Sequence, residues 1–231
     1  MSISVAACAL VALPVAWFGG VLIDRVPDKE PLRPLPGVRV GGWYLGLGIA
    51  MIILFALLGV RFSGQPPLFV AGYLLLAAML VTVSVIDLRC YRLPDRIVIP
   101  TFVASVLIVI VESVRVGQPI RIGYAFAGGA VYFVFLLIVH LISPRGMGFG
   151  DVKLAAVMGL YLGWMADEYM TSVALVLWAM LVGFVLGSLA GLGFLIARRR
   201  SAAIPFGPFL AFGTLTIVLL GPHLVAAPMI A

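Results

Sequence analysis

Long apolar runs constrain this chain more than any other feature of its sequence. A transmembrane helix needs about 20 predominantly apolar residues, because each residue advances about 1.5 Å across a hydrocarbon layer about 30 Å thick. Seven runs meet or approach that length, and an eighth, 151–165, is shorter. The predicted spans are 2–22, 42–60, 66–86, 97–114, 120–142, 151–165, 170–197 and 205–228. The sequence therefore predicts an all-α, polytopic transmembrane bundle of about eight helices.

The composition excludes the common soluble classes. Of the 231 residues, 64% are hydrophobic and 10% are charged, whereas soluble domains have roughly 45–50% apolar and about 25% charged residues. A soluble core of this length cannot bury so much apolar surface, so we exclude a soluble enzyme, a disordered chain and a disulfide scaffold. The net charge of +6 falls in short loops that meet lipid headgroups. We expect the lipid bilayer as a partner and no nucleic acid.

The basic residues of the predicted loops indicate the orientation of the bundle. With the short segment counted as the sixth span, the loops after the first, third, fifth and seventh spans hold twelve of the 15 Lys and Arg residues. The other loops hold Arg61, Arg115 and Arg121. Basic loops stay in the cytoplasm, so both termini are predicted outside a cell inner (plasma) membrane. The same bias indicates that the short segment 151–165 crosses the membrane, because otherwise Arg198, Arg199 and Arg200 would lie outside.

We expect one membrane domain over residues 1–231. Within it, we predict that residues 1–60 form a small N-terminal unit of two helices, joined by a short, proline-rich cytoplasmic loop at 24–41. Residues 66–228 predict a six-helix core. No low-complexity run or convincing internal repeat divides the chain further.

Two aspartates lie at the predicted cytoplasmic ends of spans, where acidic side chains are costly and usually functional. Asp87 ends the run LLLAAMLVTVSVID, and Asp151 opens the short sixth span after PRGMGFG. Taken singly, each aspartate is explained as well by a structural role as by a functional one. Asp87 could simply end a helix, and Asp151 could be an N-cap or first-turn acid favoured by the helix dipole. Two aspartates at one depth of one bundle indicate a pair.

A facing pair of carboxylates can hydrolyse a peptide bond without a cofactor. Like charges at close range share one proton, so one member can activate a water while the other polarises the carbonyl. The sequence does not assign the base. Gly148 and Gly150, beside Asp151, would let an extended substrate approach and could adopt positive φ. The alternative for these glycines is a flexible helix-entry loop.

Three stretches carry a resemblance to a known family. SVIDLRCYRLPDRIVIP, residues 84–100, resembles the first-aspartate motif of the type IV prepilin peptidases. PRGMGFGDVKLAAVMGLYLG, residues 144–163, resembles their GxGD motif, and IPFGPFL, residues 204–210, resembles the motif that opens their last helix. Order and spacing also agree, over roughly residues 66–228.

The resemblance implies a GxGD-type intramembrane aspartic endopeptidase with Asp87 and Asp151 as its catalytic pair. The implied substrates are type IV prepilins or pseudopilins, cut behind a basic leader at the cytoplasmic membrane face. Proteolysis would need no cofactor and no metal. Larger family members also methylate the product with S-adenosylmethionine, but this chain lacks their large cytoplasmic loop with its two CxxC pairs. We therefore expect no bound S-adenosylmethionine.

Five further motif residues are candidates for binding substrate or shaping the site, each with a simpler alternative. Lys153 could bias the charge of the pair or contact substrate, whereas a lysine at a membrane surface often only snorkels. Pro94 and Asp95 could redirect the chain into the fourth span, with Asp95 as its N-cap. Gly207 and Pro208 could border the cleft or simply begin the last helix.

Two rival functions remain open on the residues alone. A proton-coupled transporter could use Asp87 and Asp151 as relay acids, although no repeat is visible and both acids lie at one face. A non-catalytic subunit of a pilus or secretion machine would need no acid pair. The sequence also leaves open a homodimer.

Overall fold

The computed structural model describes residues 5–25, 42–144, 146–196 and 205–226, and this part of the chain forms eight α-helices. The helices are α1 (Val5–Arg25), α2 (Gly42–Arg61), α3 (Pro67–Cys90), α4 (Asp95–Arg115), α5 (Ile120–Ile142), α6 (Phe149–Trp164), α7 (Tyr169–Ile196) and α8 (Gly207–Ala226). The expected all-α polytopic bundle is confirmed. Most of the predicted loop 24–41, and the basic run 198–200, lie outside the described residues.

Five of the described helices are long and apolar enough to cross a membrane: α1, α3, α4, α5 and the Tyr169–Gly193 part of α7. The apolar parts of α2 and α8 are shorter, at Leu45–Arg61 and Gly207–Gly221. This is a multi-pass membrane protein, because so many apolar helices can only be accommodated in a bilayer. Its orientation stays a prediction.

The short helix α6 lies at the centre of the bundle. Its 16 residues include 12 that are buried, so neighbouring helices cover it on nearly all sides. A helix that is apolar all round is stable only when surrounded in this way. Its contacts with α4, α5, α7 and α8 therefore compensate for a length too short to span a bilayer alone.

The closest packing of α6 is against α5. A Cβ atom on Gly128 would overlap the Gly159 carbonyl and the backbone of Gly163, and a Cβ on Gly163 would overlap the Tyr124 carbonyl. Small residues allow helix backbones to approach this closely. The glycines thus fix α6 against α5, and with it the position of Asp151 in the first turn of α6.

At the predicted outer end of the bundle, α3 and α6 meet in a cluster of aromatic rings. Neighbouring rings are tilted, stacked or edge-to-face, with centroids 4.4 to 6.1 Å apart, within or close to the separations that favour aromatic pairs. We call this group the aromatic cluster. Its members are Phe62, Phe69, Tyr73, Tyr161 and Trp164.

The polar atoms of the aromatic cluster are hydrogen-bonded. The Tyr73 hydroxyl donates to the Tyr161 carbonyl over 2.9 Å, and the Tyr161 hydroxyl donates to Ser105 Oγ over 3.0 Å. The Trp164 indole N–H donates to Ser113 Oγ over 3.0 Å. Because buried polar groups are costly when unpaired, these bonds make the outer ends of α3, α4 and α6 a well-satisfied contact.

Candidate active site

Asp87 lies in the last turn of α3 and is 5% exposed. The helix continues four residues past 86, the predicted end of the third span, and stops where Tyr91 adopts a left-handed conformation, with φ of 53°. The backbone N–H of Gly207, at the start of α8, donates to Asp87 Oδ2 over 3.2 Å. The first N–H groups of a helix have no partner within the helix, so α8 has a free donor to offer to this carboxylate.

Asp151 lies in the first turn of α6 and is 6% exposed. It is not the N-cap: that position belongs to Gly148, whose carbonyl accepts the Asp151 backbone N–H over 3.1 Å. Within the described residues, Asp151 Oδ1 is buried without a hydrogen-bond partner. A native protein tolerates such an atom mainly where function requires it or a water completes the site.

The two carboxylates converge on Gly207. A Cβ atom built on Gly207 would lie 2.9 Å from Asp87 Oδ2 and 3.5 Å from Asp151 Oδ1. One methyl group there would touch both acids, so the distance between these two oxygens cannot exceed the sum of those separations. The missing side chain of Gly207 leaves the space that the pair shares. Pro208 follows in the first turn of α8, where its lack of an N–H costs nothing.

The chain segments beside the two aspartates contact each other twice. A Cβ atom on Gly150 would lie 2.7 Å from Leu93 Cβ, so the first turn of α6 packs tightly against the connection between α3 and α4. Lys153 Nζ lies 2.7 and 2.8 Å from the two carboxylate oxygens of Asp95. Lys153 therefore has an ion-pair partner in the first turn of α4.

Two sequence expectations about these segments are wrong. The N-cap of α4 is Pro94, in an extended conformation, while Asp95 is the first helical residue and uses its carboxylate for Lys153. Gly148 has a φ of −71°, and among described glycines only Gly64 and Gly117 have positive φ. Close approach, rather than left-handed backbone, is what the glycines beside Asp151 provide.

Two contacts near the site were not anticipated from the sequence. Leu93 packs on Gly150, and His140 Nδ1 lies 2.8 Å from the Met147 carbonyl, which ties the loop before α6 to the end of α5. Leu93 lies inside the stretch that carries the resemblance, which was the available signal for it. No pattern in the sequence pairs His140 with a backbone carbonyl.

Within the part of the chain that the structure describes, no three His, Cys, Asp or Glu side chains are grouped so that they could hold a metal ion. The candidate site consists of two carboxylates, the backbone N–H of Gly207 and the space that the missing Gly207 side chain leaves.

Comparison with known proteins assigns the family. The type IV leader peptidase family, Peptidase_A24, matches residues 74–196, which include both aspartates. The chain is 30% identical over 193 residues to a prepilin leader peptidase/N-methyltransferase of Bacillus subtilis, covering 82% of this chain and 71% of that protein. No solved structure gives a significant match.

Two further relatives carry the same name. The protein from Xanthomonas campestris is 32% identical over 154 residues (67% of this chain, 51% of the relative), and that from Aeromonas hydrophila is 36% identical over 155 residues (64% and 49%). The chain thus spans about half the length of these two relatives. It belongs to the type IV leader peptidase family, and the expected enzyme class, an aspartic endopeptidase of the prepilin peptidase type, is confirmed.

Proposed function

We propose that this protein removes the basic leader from type IV prepilins or pseudopilins, at the cytoplasmic face of the inner membrane, with Asp87 and Asp151 as its catalytic pair. The observation that carries the proposal is the convergence of two buried carboxylates, from α3 and α6, on the single side-chain-free position of Gly207. The relatives named prepilin leader peptidases support the substrate class.

The reaction we propose is direct hydrolysis by water. The ionised aspartate takes a proton from a water whose oxygen bonds to the carbonyl carbon of the scissile peptide. The protonated aspartate donates to the carbonyl oxygen, which gives a tetrahedral intermediate. That intermediate collapses as one of its hydroxyl groups returns a proton to the pair, the C–N bond breaks, and the leaving nitrogen takes a proton from the pair, which again holds one proton. The products are a free carboxyl group and a free amine. Because the pair titrates as a unit, neither residue is assigned alone as the base.

The backbone supplies the positioning in this scheme. The Gly207 N–H holds Asp87 Oδ2, which fixes the orientation of that carboxylate. Asp151 Oδ1 keeps its hydrogen-bonding capacity for water or substrate, because no described residue uses it. Asp87 is thus held in place, while Asp151 can still accept a hydrogen bond, and this combination suits a site that must bind a reacting water.

Proteolysis without methylation is the activity we propose. The relatives are named peptidase and N-methyltransferase, but the two cysteines here, Cys8 and Cys90, form no CxxC pair. We expect the cleaved product to leave with an unmodified N-terminus and the reaction to need no S-adenosylmethionine.

The test is cleavage of a tagged prepilin with a short basic leader, co-expressed with the wild type, Asp87→Asn or Asp151→Asn. Asp167→Asn, an exposed acid in the predicted outer loop, is the matched control for loss of one carboxylate. We expect leader removal by the wild type and the control, and a loss of about a hundredfold or more in both site variants. The mass of the new N-terminus shows whether a methyl group was added.

The outcomes separate the rival functions. Cleavage that persists in Asp151→Asn, at equal membrane abundance, would refute the aspartate pair. Normal pilus assembly in a double Asp87, Asp151 variant would favour a non-catalytic subunit. Proton flux that disappears with either aspartate, without any cleavage, would favour the transporter. No observation on the described residues favours either alternative.

A further inference from the structure

One ion pair joins α4, the helix that comes after Asp87 in the chain, to α6, the helix that carries Asp151. Asp95 opens α4, just after the connection that follows Asp87, and Lys153 stands two residues after Asp151 in α6. Lys153 Nζ contacts both carboxylate oxygens of Asp95, at 2.7 and 2.8 Å. Charge-assisted bonds of this length are among the stronger polar contacts in proteins.

A second contact lies beside the ion pair. Leu93 packs on Gly150 so closely that a Cβ atom on the glycine would lie 2.7 Å from the Leu93 Cβ. Gly150 directly precedes Asp151, and Leu93 lies between Asp87 and Asp95 in the chain. An apolar contact and an ion pair thus clamp the segment after Asp87 against the first turn of the helix that carries Asp151.

The solvent exposure of the Lys153–Asp95 ion pair indicates whether it affects folding stability or the geometry of the site. The side chains of Lys153 and Asp95 are 29% and 55% exposed, and ion pairs this exposed contribute little to folding stability. Catalysis is more sensitive, because a displacement of about 1 Å at a reacting group can lower a rate about a hundredfold. The pair can therefore matter for the geometry of the aspartates while leaving the fold intact.

The geometry points to Asp95 and Lys153 as positioning residues, whose ion pair holds the first turn of α6 against the α3–α4 connection and so keeps Asp151 in register with Asp87. This inference rests on the proposed function, since it concerns the same two aspartates. Neither residue touches substrate in this role. Each acts through the position of Asp151.

Lys153 has one competing role. It also lines an apolar groove between α4 and α5, with Phe102, Phe133 and Leu160, and its Nζ lies 5.2 Å from the centre of the Phe149 ring. A lysine in this place could bind substrate directly. In that case Asp95 would matter less than Lys153, and the two roles predict different results for Asp95→Asn.

The experiment measures kcat and KM for leader cleavage by the full chain in lipid nanodiscs. The variants are Asp95→Asn, Lys153→Gln, both together, and the charge exchange Asp95→Lys with Lys153→Asp. Asp24→Asn is the matched control, because the Asp24–Arg89 ion pair (3.2 Å, side chains 42% and 40% exposed) is similarly exposed and joins a different pair of helices, α1 and α3. Amide exchange of residues 146–151 provides a readout that does not depend on activity.

If the ion pair positions Asp151, Asp95→Asn and Lys153→Gln should lower kcat by the same factor. We expect kcat to fall about tenfold to a hundredfold in each, with KM nearly unchanged, the double variant no worse than either, and partial recovery in the charge exchange. Exchange at 146–151 should be faster in Asp95→Asn, and the pH profile of its remaining activity should keep its shape. Asp24→Asn should match the wild type.

Other results overturn the inference. Wild-type kcat in Asp95→Asn, or a raised KM in Lys153→Gln alone, would mean that Lys153 binds substrate and that the ion pair positions nothing. If the charge-exchanged protein does not insert, the single and double variants still decide. Cleavage that needs Asp151 but not Asp95 refutes this inference alone, whereas cleavage that survives Asp151→Asn refutes the proposed function as well.

Discussion

The two ends of the helix pair α3 and α6 are built on opposite principles. At the outer end, the helices meet through large rings, and the hydroxyl of Tyr73, the hydroxyl of Tyr161 and the indole N–H of Trp164 all have acceptors. At the predicted cytoplasmic end, the same helices present Asp87 and Asp151 to a glycine, and one carboxylate oxygen has no partner among the described residues.

The difference indicates how one bundle can combine a well-packed frame with the candidate active site. Satisfied polar groups within tight packing specify one arrangement of helices, and the aromatic cluster provides this through Tyr161 and Trp164, at the opposite end of α6 from Asp151. Functional sites are where proteins leave polar groups unsatisfied, with the surrounding structure compensating for their cost. On the proposed function, the outer end holds α3 and α6 in register while the inner end keeps a carboxylate oxygen available for water and substrate.

The largest effect is expected from breaking the outer end. Trp164→Ala removes a side chain that is 1% exposed and packs on Phe69 and Tyr73, and a buried tryptophan truncated to alanine costs about 3–5 kcal/mol. We expect that loss of unfolding free energy in a denaturant titration in mixed micelles. Trp17→Ala, in a half-exposed position on α1, is the control. An equal loss in the two variants would contradict a special role for the cluster.

The next effect is expected from filling the inner end. Gly207→Ala places a methyl group 2.9 Å from Asp87 Oδ2 and 3.5 Å from Asp151 Oδ1, so the Asp87 carboxylate must shift and the space beside Asp151 is filled. We expect kcat for leader cleavage to fall about tenfold to a hundredfold, with little change in unfolding free energy. Gly48→Ala is the control, because a Cβ there has no atom within 4 Å. Full activity of Gly207→Ala would show that this space is not used.

The smallest effect is expected from removing a single hydrogen bond at the outer end, which tests whether that end affects stability alone. Tyr73→Phe removes the donor to the Tyr161 carbonyl and leaves the ring in place. We expect about 1 kcal/mol less unfolding free energy and unchanged cleavage per folded molecule. Tyr169→Phe, with an exposed ring, should change neither quantity. Reduced kcat in Tyr73→Phe, with unchanged stability, would mean that the outer end takes part in catalysis.

The apolar runs predicted the helices because hydrocarbon thickness fixes the length of a span. Every predicted span corresponds to a described helix, and the short segment at 151–165 is α6, Phe149–Trp164. The predicted ends are less accurate, because hydropathy marks the edge of the hydrocarbon and not the last hydrogen bond. The third span was predicted to end at 86, whereas α3 continues past the charged residues Asp87 and Arg89 to Cys90.

The contacts of the site could not be predicted from spacing. The Gly207 N–H and Asp87 are 120 residues apart, and Lys153 and Asp95 are 58 apart, so only the packing of the bundle brings them together. The role of Gly207 depends on the absence of a side chain at one point in space. A sequence shows that a glycine is present, but it does not show what the missing side chain would have met.

The measurement that tests the account most directly is a two-residue cycle in nanodiscs. Leader cleavage is measured for the wild type, Asp87→Asn, Asp151→Asn and the double variant, with folding checked for each. If the two aspartates act as one pair, each single variant loses about a hundredfold or more and the double variant loses no more than either. A single variant that keeps about a tenth of wild-type kcat, or losses that multiply in the double variant, would contradict the pair.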